Sequence, residues 1–81
     1  MEIEILEHEG SYRIRAKDKS WTVDRIYPHT IGVFLKIFFN MDPSVARKYG
    51  FIAWKLWKAA AFSVPFKVEV NIHERDREDK E

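Results

Sequence analysis

Residues 42–60, DPSVARKYGFIAWKLWKAA, carry the strongest helix signal in this 81-residue chain and decide how the rest is arranged around them. Asp42 is a favourable N-cap residue, and Pro43 suits the first helical position, where no intrahelical N–H bond is needed. The pattern predicts a helix that runs to about Phe62. Gly50 lies inside this helix, where a glycine permits a close backbone approach or a local bend.

The preceding segment, residues 30–40, fits two patterns. Its apolar residues recur at helical spacing at Ile31, Phe34, Leu35 and Phe38. They also alternate as in a strand at Val33, Leu35, Ile37 and Phe39. We predict a helix because the run is long for a strand, and because Thr30 can serve as its N-cap and Asn40 as its stop. The strand remains the alternative.

Alternation of apolar and polar residues predicts three strands at the start of the chain, over residues 2–9, 12–17 and 21–27. Turns are expected at Gly10-Ser11 and at residues 18–20. Trp21 and Val23 are expected to face inward. The three strands should form an antiparallel meander.

Leu6 follows Ile5 directly and breaks the alternation of the first strand. We interpret this slip as a β-bulge near Leu6, because one extra residue would bring Glu4 opposite Arg15. The same shift would bring Ile5 opposite Ile14 and Glu2 opposite Lys17.

After the Val64-Pro65 step, residues 66–73 alternate most regularly of all, and this last strand could pair with the first strand or with the third. The element order β-β-β-α-α-β predicts an α+β fold, a four-stranded antiparallel sheet with two helices packed on one face. A single domain is expected over residues 1–73. Residues 74–81 are all charged and are expected to form a disordered tail.

Charge is distributed unevenly along the chain, although the net charge is only +1. Residues 1–9 sum to −4, residues 74–81 to −2, and residues 10–73 to +7. One basic group lies on the second strand, at Arg13, Arg15 and Lys17. It can bind nucleic acid, but cross-strand pairing with Glu2, Glu4 and Glu7 is the favoured interpretation.

The second basic group lies on the long helix, which has no acidic residue after Asp42. At about 100° per residue, four cations share one arc. They are Arg47, Lys48, Lys55 and Lys58. The opposite arc is predicted to face the sheet, and it contains Val45, Tyr49, Ile52, Leu56, Ala59 and Ala60. Phe51 and Phe62 project within the basic arc, and Trp54 lies at its edge.

These features favour a small binding module rather than an enzyme. The first hypothesis is nucleic-acid binding, with Arg47, Lys48, Lys55 and Lys58 at phosphates and Phe51 as an apolar contact. The alternative is a protein-interaction or homodimeric module, through Trp54, Trp57 and Phe62 or through an exposed sheet edge. A plain solvated helix face and membrane-surface binding are further, weaker interpretations.

Other chemistry is not indicated by the sequence. There is no cysteine, no glycine-rich phosphate loop and no metal-ligand spacing among His8, His29 and His73, so we expect no catalytic residues, metal or cofactor. The acidic start and the lack of a long apolar run suggest a cytoplasmic protein without a membrane span. The many charges and few amides resemble thermophile compositions.

Overall fold

The computed structural model describes residues 1–72, so His73 and the predicted tail at residues 74–81 lie outside the described residues. The strands are β1 (Glu2–His8), β2 (Ser11–Ala16), β3 (Lys19–Val23) and β4 (Phe66–Glu69), and the helices are α1 (Thr30–Phe39) and α2 (Pro43–Ala59). The sheet is antiparallel with strand order β3-β2-β1-β4. The predicted α+β fold and element order are confirmed.

The meander is built from two hairpins with two-residue loops, between His8 and Ser11 and between Ala16 and Lys19. In the first loop Glu9 and Gly10 have φ of 51° and 83°, the left-handed pattern whose twist matches that of paired strands. The second loop also begins with a left-handed residue, Lys17, at φ 55°. Because this loop is shorter than predicted, β3 begins before Trp21, and it ends at Val23.

The predicted bulge near Leu6 is wrong. The β1–β2 ladder is regular through Leu6, with Glu4 opposite Arg15 and Ile5 opposite Ile14. The turn occupies residues 9 and 10 rather than 10 and 11, so this register needs no extra residue. Leu6 therefore lies on the outer side of the sheet. The β1–β2 pairs end at Glu4 and Arg15, short of the predicted pair of Glu2 with Lys17, and on its other side Glu2 is opposite Glu69 of β4.

The last strand pairs with β1, which settles the question of its partner. Phe66 and Val68 are half-buried and Val70 is buried, while Lys67 and Glu69 between them are exposed. Beyond the strand, the Val70 amide donates to the Met1 carbonyl at 2.9 Å. Regular pairing ends at Glu69, short of the predicted end of the strand at His73.

Both helices cover one face of the sheet. Tyr12 and Ile14 alternate on the inner face of β2, opposite Val23 and Trp21 of β3. Trp21 stacks on Phe34 of α1 with ring centroids 6.5 Å apart. Helix α2 reaches the same face, because its Trp57 meets Tyr12 edge-on at 5.6 Å. The core joins the sheet and both helices, and its largest fully buried side chains are Ile3, Ile5, Ile14, Ile31, Phe34 and Leu35.

The segment over residues 30–40 forms helix α1 (Thr30–Phe39), as predicted, but the proposed N-cap is wrong. Thr30 is the first helical residue, and His29 precedes it without a side-chain cap bond. The Thr30 hydroxyl instead accepts a hydrogen bond from the Tyr27 amide at 2.8 Å, which fixes the turn entering the helix. Asn40 ends the helix in the left-handed conformation, φ 53°, as its role as a stop requires.

The two helices touch backbone to backbone at Gly32 and Gly50. A Cβ atom at Gly50 would lie 2.5 Å from the Gly32 Cα and closer still to the Gly32 amide nitrogen. A Cβ atom at Gly32 would lie 3.1 Å from the Ala46 carbonyl oxygen. Gly50 therefore serves close packing, one of the two roles expected for it.

Helix α2 begins as predicted. The Asp42 carboxylate accepts hydrogen bonds from the Ser44 and Val45 amides, and Pro43 occupies the first turn. The helix ends at Ala59, earlier than the predicted Phe62, in a Schellman motif. In this motif the Ala61 amide donates to the Lys58 carbonyl and the Phe62 amide to the Trp57 carbonyl. Ala61 and Phe62 both have positive φ, 59° and 57°.

The predicted inner face of α2 is largely wrong. Ile52 and Leu56 are 39% and 46% exposed, and Ala59 is exposed as well. The buried residues of the helix are instead Ala46, Tyr49, Gly50, Ala53 and Trp57. The helix is rotated because its small residues must face α1 for the backbones to touch, and this places the larger Ile52 and Leu56 outside.

Candidate nucleic-acid interface

The four predicted cations of α2 all lie on its outer side. We call Arg47, Lys48, Lys55 and Lys58, together with Phe51 between them, the basic face; every one of these five side chains is exposed. At 1.5 Å per residue, the distance along the helix from Arg47 to Lys58 is about 16 Å. The ion pairs within residues 1–72 involve none of the four cations. Within the described part of the chain, the charge of this face is therefore not balanced by an ion pair.

Aromatic rings lie directly among these charges. Phe51 is 44% exposed and stacks on Trp54, with centroids 6.1 Å apart and planes 17° apart. The Lys55 ammonium lies 5.6 Å from the Phe51 centroid, and the Lys58 ammonium lies 5.3 Å from that of Trp54. The lysine side chains thus cover part of the aromatic surface while their charged ends remain in solvent.

The three aromatic residues predicted to form an interface differ in position. Trp57 is only 3% exposed and belongs to the core, where its indole N–H donates to the Ser63 carbonyl at 3.0 Å. Trp54 is half-buried, and within residues 1–72 its buried indole nitrogen has no hydrogen-bond partner. Phe62 is 47% exposed and packs edge-on against Trp57 at 4.9 Å. Only Trp54 and Phe62 are therefore accessible to a partner.

Ile52 and Leu56 form a feature that the sequence reasoning missed. We call these two exposed residues, one helical turn apart, the apolar strip; Lys48 and Lys55 lie beside them on the helix. The signal for it was present in the small residues Ala46, Gly50 and Ala53. Their spacing marks a seam for a second helix, and the residues opposite a seam face solvent.

The cations of β2 and β4 have a different environment. We call the outer side of the sheet, with Glu4, Arg13, Arg15 and Lys67, the open face. Arg15 pairs with Glu4 at 2.6 Å, and Lys67 lies 3.6 Å from the same carboxylate. The hydrogen bond from Arg15, together with the charge of Lys67, lowers the pKa of Glu4. The expected cross-strand neutralisation is confirmed for Arg15.

The other two cations of the predicted second strand, Arg13 and Lys17, do not follow the predicted pairing. Arg13 is opposite Leu6 rather than Glu7, and its guanidinium lies 3.3 Å from the His8 imidazole Nε2. Its Nε is buried and has no hydrogen-bond partner within residues 1–72. Lys17 lies in the hairpin turn and is exposed.

The described residues offer no metal centre, since residues 1–72 contain no group of three His, Asp or Glu side chains placed to hold an ion. None of the helices among these residues is long and apolar enough to cross a membrane. In comparisons with known proteins, no family model, curated protein or solved structure matches the chain. Function must therefore be inferred from the geometry and chemistry of the surface.

Proposed function

We propose that the protein binds nucleic acid, with the basic face of α2 lying along the phosphate backbone. The observation that carries the proposal is the grouping of Arg47, Lys48, Lys55 and Lys58 on one exposed face, with no ion-pair partner among residues 1–72. Uncompensated cations in a row release counterions from a polyanion, which is the main source of sequence-independent affinity.

The aromatic residues extend this contact. Phe51 is exposed between the cations and rests on Trp54. An exposed ring among phosphate-binding lysines can stack on a base of a single strand or insert into a groove. Because such a contact reads no base edge, we expect weak sequence preference and a strong dependence of affinity on salt.

The direct test is charge reversal on the basic face. The double variant Lys55→Glu, Lys58→Glu changes the net charge by −4, and we expect it to lose binding to mixed-sequence DNA and RNA at low salt. The matched control Lys17→Glu, Lys19→Glu makes the same change at the β2–β3 turn and should retain binding. Fluorescence anisotropy measures both. Equal losses in the two variants, or no binding by the unaltered protein, would refute the proposal.

A second function, homodimer formation, is favoured by the apolar strip. Ile52 and Leu56 are exposed side by side on one helix, and a two-fold axis through them would bury both strips against each other. The same contact would bring Lys48 and Lys55 close to their copies. We therefore expect a polyanion or high salt to strengthen this dimer.

Light scattering distinguishes the two functions. If the apolar strip forms a dimer, the mass should double at high salt and return to that of a monomer in Ile52→Glu, Leu56→Glu. Trp54→Glu should also weaken the dimer if the adjacent ring contributes. If the protein is a monomer at all accessible concentrations, the homodimer proposal is refuted, and the proposal of nucleic-acid binding is not affected.

A further inference from the structure

A cleft of about 180 Å³ lies between the two helices, beside Arg47 at the start of the basic face. We call it the interhelical cleft; its lining residues are His29, Gly32, Val33, Lys36, Pro43 and Arg47. Three of the six have basic side chains and none is acidic. Arg47 belongs to both the cleft and the basic face, so the two surfaces are continuous.

The basic groups of the cleft lie on both helices and in the turn before α1. The ion pairs within residues 1–72 include none of His29, Lys36 and Arg47. Oδ2 of the neighbouring acid, Asp42, accepts hydrogen bonds within its own helix, from the Ser44 amide at 3.2 Å and from the Ser44 hydroxyl at 2.6 Å. The cleft is therefore lined by cationic groups on both helices.

The ring of His29 is held in a defined orientation. It stacks on Tyr27 with centroids 5.7 Å apart and planes 5° apart. The Tyr27 amide is in turn bonded to the Thr30 hydroxyl at the start of α1. A ligand in the cleft would meet this ring together with two flexible cationic side chains.

The size and chemistry of the cleft define its ligand class. Sites for drug-sized molecules usually have about 300–1,000 Å³, so this cleft is suited to one small group rather than a whole cofactor. The Arg47 guanidinium presents a fork that matches phosphate oxygens, and Lys36 adds a point charge from the other helix. We propose that the interhelical cleft binds a phosphate group.

The phosphate can come from two sources. It can belong to a nucleic-acid backbone that continues from the basic face, a version that rests on the proposed function. It can also be a free phosphate or the phosphate of a small metabolite, which requires no nucleic-acid binding. Lys36 separates the cleft from the basic face because it lies on α1, away from Lys55 and Lys58 of α2.

The experiment has two arms with one variant. In the first, inorganic phosphate is titrated into the protein at ionic strength held constant with chloride, and the backbone amide signals of Gly32, Val33 and Arg47 are followed by NMR. We expect saturable shifts that Lys36→Gln weakens about fivefold, the range of a single exposed ion pair. The second arm measures the affinity for a mixed-sequence oligonucleotide. Lys19→Gln, the same charge change on β3, is the control in both arms.

Each outcome decides the proposal. If Lys36→Gln weakens both arms, the cleft holds a backbone phosphate; if it weakens only the first, the cleft holds a free phosphate. Shifts that do not saturate, or a response to Lys36→Gln no different from that of Lys19→Gln, would overturn the site. Failure of the basic face is separate, because Lys55→Glu, Lys58→Glu should leave the inorganic phosphate titration unchanged.

Discussion

The open face of the sheet and the basic face of α2 both carry arginine and lysine side chains, but the groups that surround these cations differ. On the open face Arg15 lies 2.6 Å from Glu4, and Lys67 approaches the same carboxylate. On α2 there is no acidic residue after Asp42, and Lys55 and Lys58 lie over aromatic rings. Arg15 and Lys67 therefore meet a carboxylate within the protein, whereas the cations of the basic face have no ion-pair partner among residues 1–72.

The comparison shows that a count of basic residues is a poor guide to a binding surface. Arg15 and Lys55 contribute equally to the net charge. Adjacent strands bring side chains from distant parts of the sequence into register, so Glu4 can meet Arg15. The exposed face of a helix has only its own residues as close neighbours, so a helix without acids keeps its positive charge.

The largest expected effect comes from disturbing the rotation of α2 that turns its cations outward. In Gly50→Ala the new Cβ would collide with the backbone of Gly32, and we expect a loss of about 3 kcal/mol in the free energy of unfolding, as in other overpacked contacts. Urea denaturation measures it. Ala59→Gly, at an exposed position of the same helix, should cost only about 1 kcal/mol. If the Gly50→Ala variant is as stable as the unaltered protein, α1 and α2 can move apart at Gly32 and Gly50 without loss of stability.

A second prediction concerns the salt dependence of nucleic-acid binding. The double variant Lys55→Gln, Lys58→Gln removes two positive charges from the proposed phosphate-binding face. It should reduce the slope of the logarithm of the binding constant against the logarithm of the salt concentration by about 2. Lys17→Gln, Lys19→Gln should leave the slope unchanged. Anisotropy titrations at several salt concentrations give both slopes. Equal slopes for the two double variants would mean that Lys55 and Lys58 contact phosphate no more than Lys17 and Lys19 do.

A third, smaller effect is expected at the C-terminal end of α2, where a substitution should change the stability of the protein without changing its charge. Ala61 has φ 59°, a conformation that strains any residue with a Cβ atom. Ala61→Gly should raise the free energy of unfolding by about 0.5–1 kcal/mol, because relief of strain exceeds the added entropy of the unfolded chain. Thermal unfolding checks this. The neighbour Ala60 has φ −89°, so Ala60→Gly should destabilise, and neither variant should alter nucleic-acid affinity.

The smallest effect lies on the open face. The hydrogen bond from Arg15 lowers the pKa of Glu4, so this pair stabilises the fold above the ordinary carboxyl pKa. The contribution is lost as the pH falls through the lowered pKa of the folded state. In Arg15→Gln the pKa of Glu4, followed by NMR, should move up towards its ordinary value, while nucleic-acid binding stays the same. An unmoved pKa would assign the shift to Lys67.

Local signals in the sequence predicted much of this fold. Asp42-Pro43 marks the start of α2 without help from the rest of the chain, and alternation identified the four strands. The supposed bulge failed because moving a turn by one residue changes every pairing, and the sequence of residues 9–11 allows either turn. The inner face of α2 failed because apolar residues occupy most of its circumference, so only contact with α1 decides which of them are buried.

In the candidate site, too, local features were predictable from the sequence and features formed between two helices were not. The four cations of the basic face were predictable, since unpaired lysine and arginine side chains are almost never buried. The interhelical cleft was not, because it joins Lys36 and Arg47 from two helices whose separation is set by Gly32 and Gly50. The exposure of Ile52 and Leu56 follows from the same backbone contact.

The backbone contact between Gly32 and Gly50 also determines how the two helices can move. Where side chains interdigitate, small displacements are absorbed by changes of rotamer, but at Gly32 and Gly50 there are no side chains to rearrange. Helices α1 and α2 are therefore expected to shift as one rigid body over the sheet. A load applied to α2 from outside would reach Trp21 of β3 through α1, because Phe34 of α1 stacks on this indole.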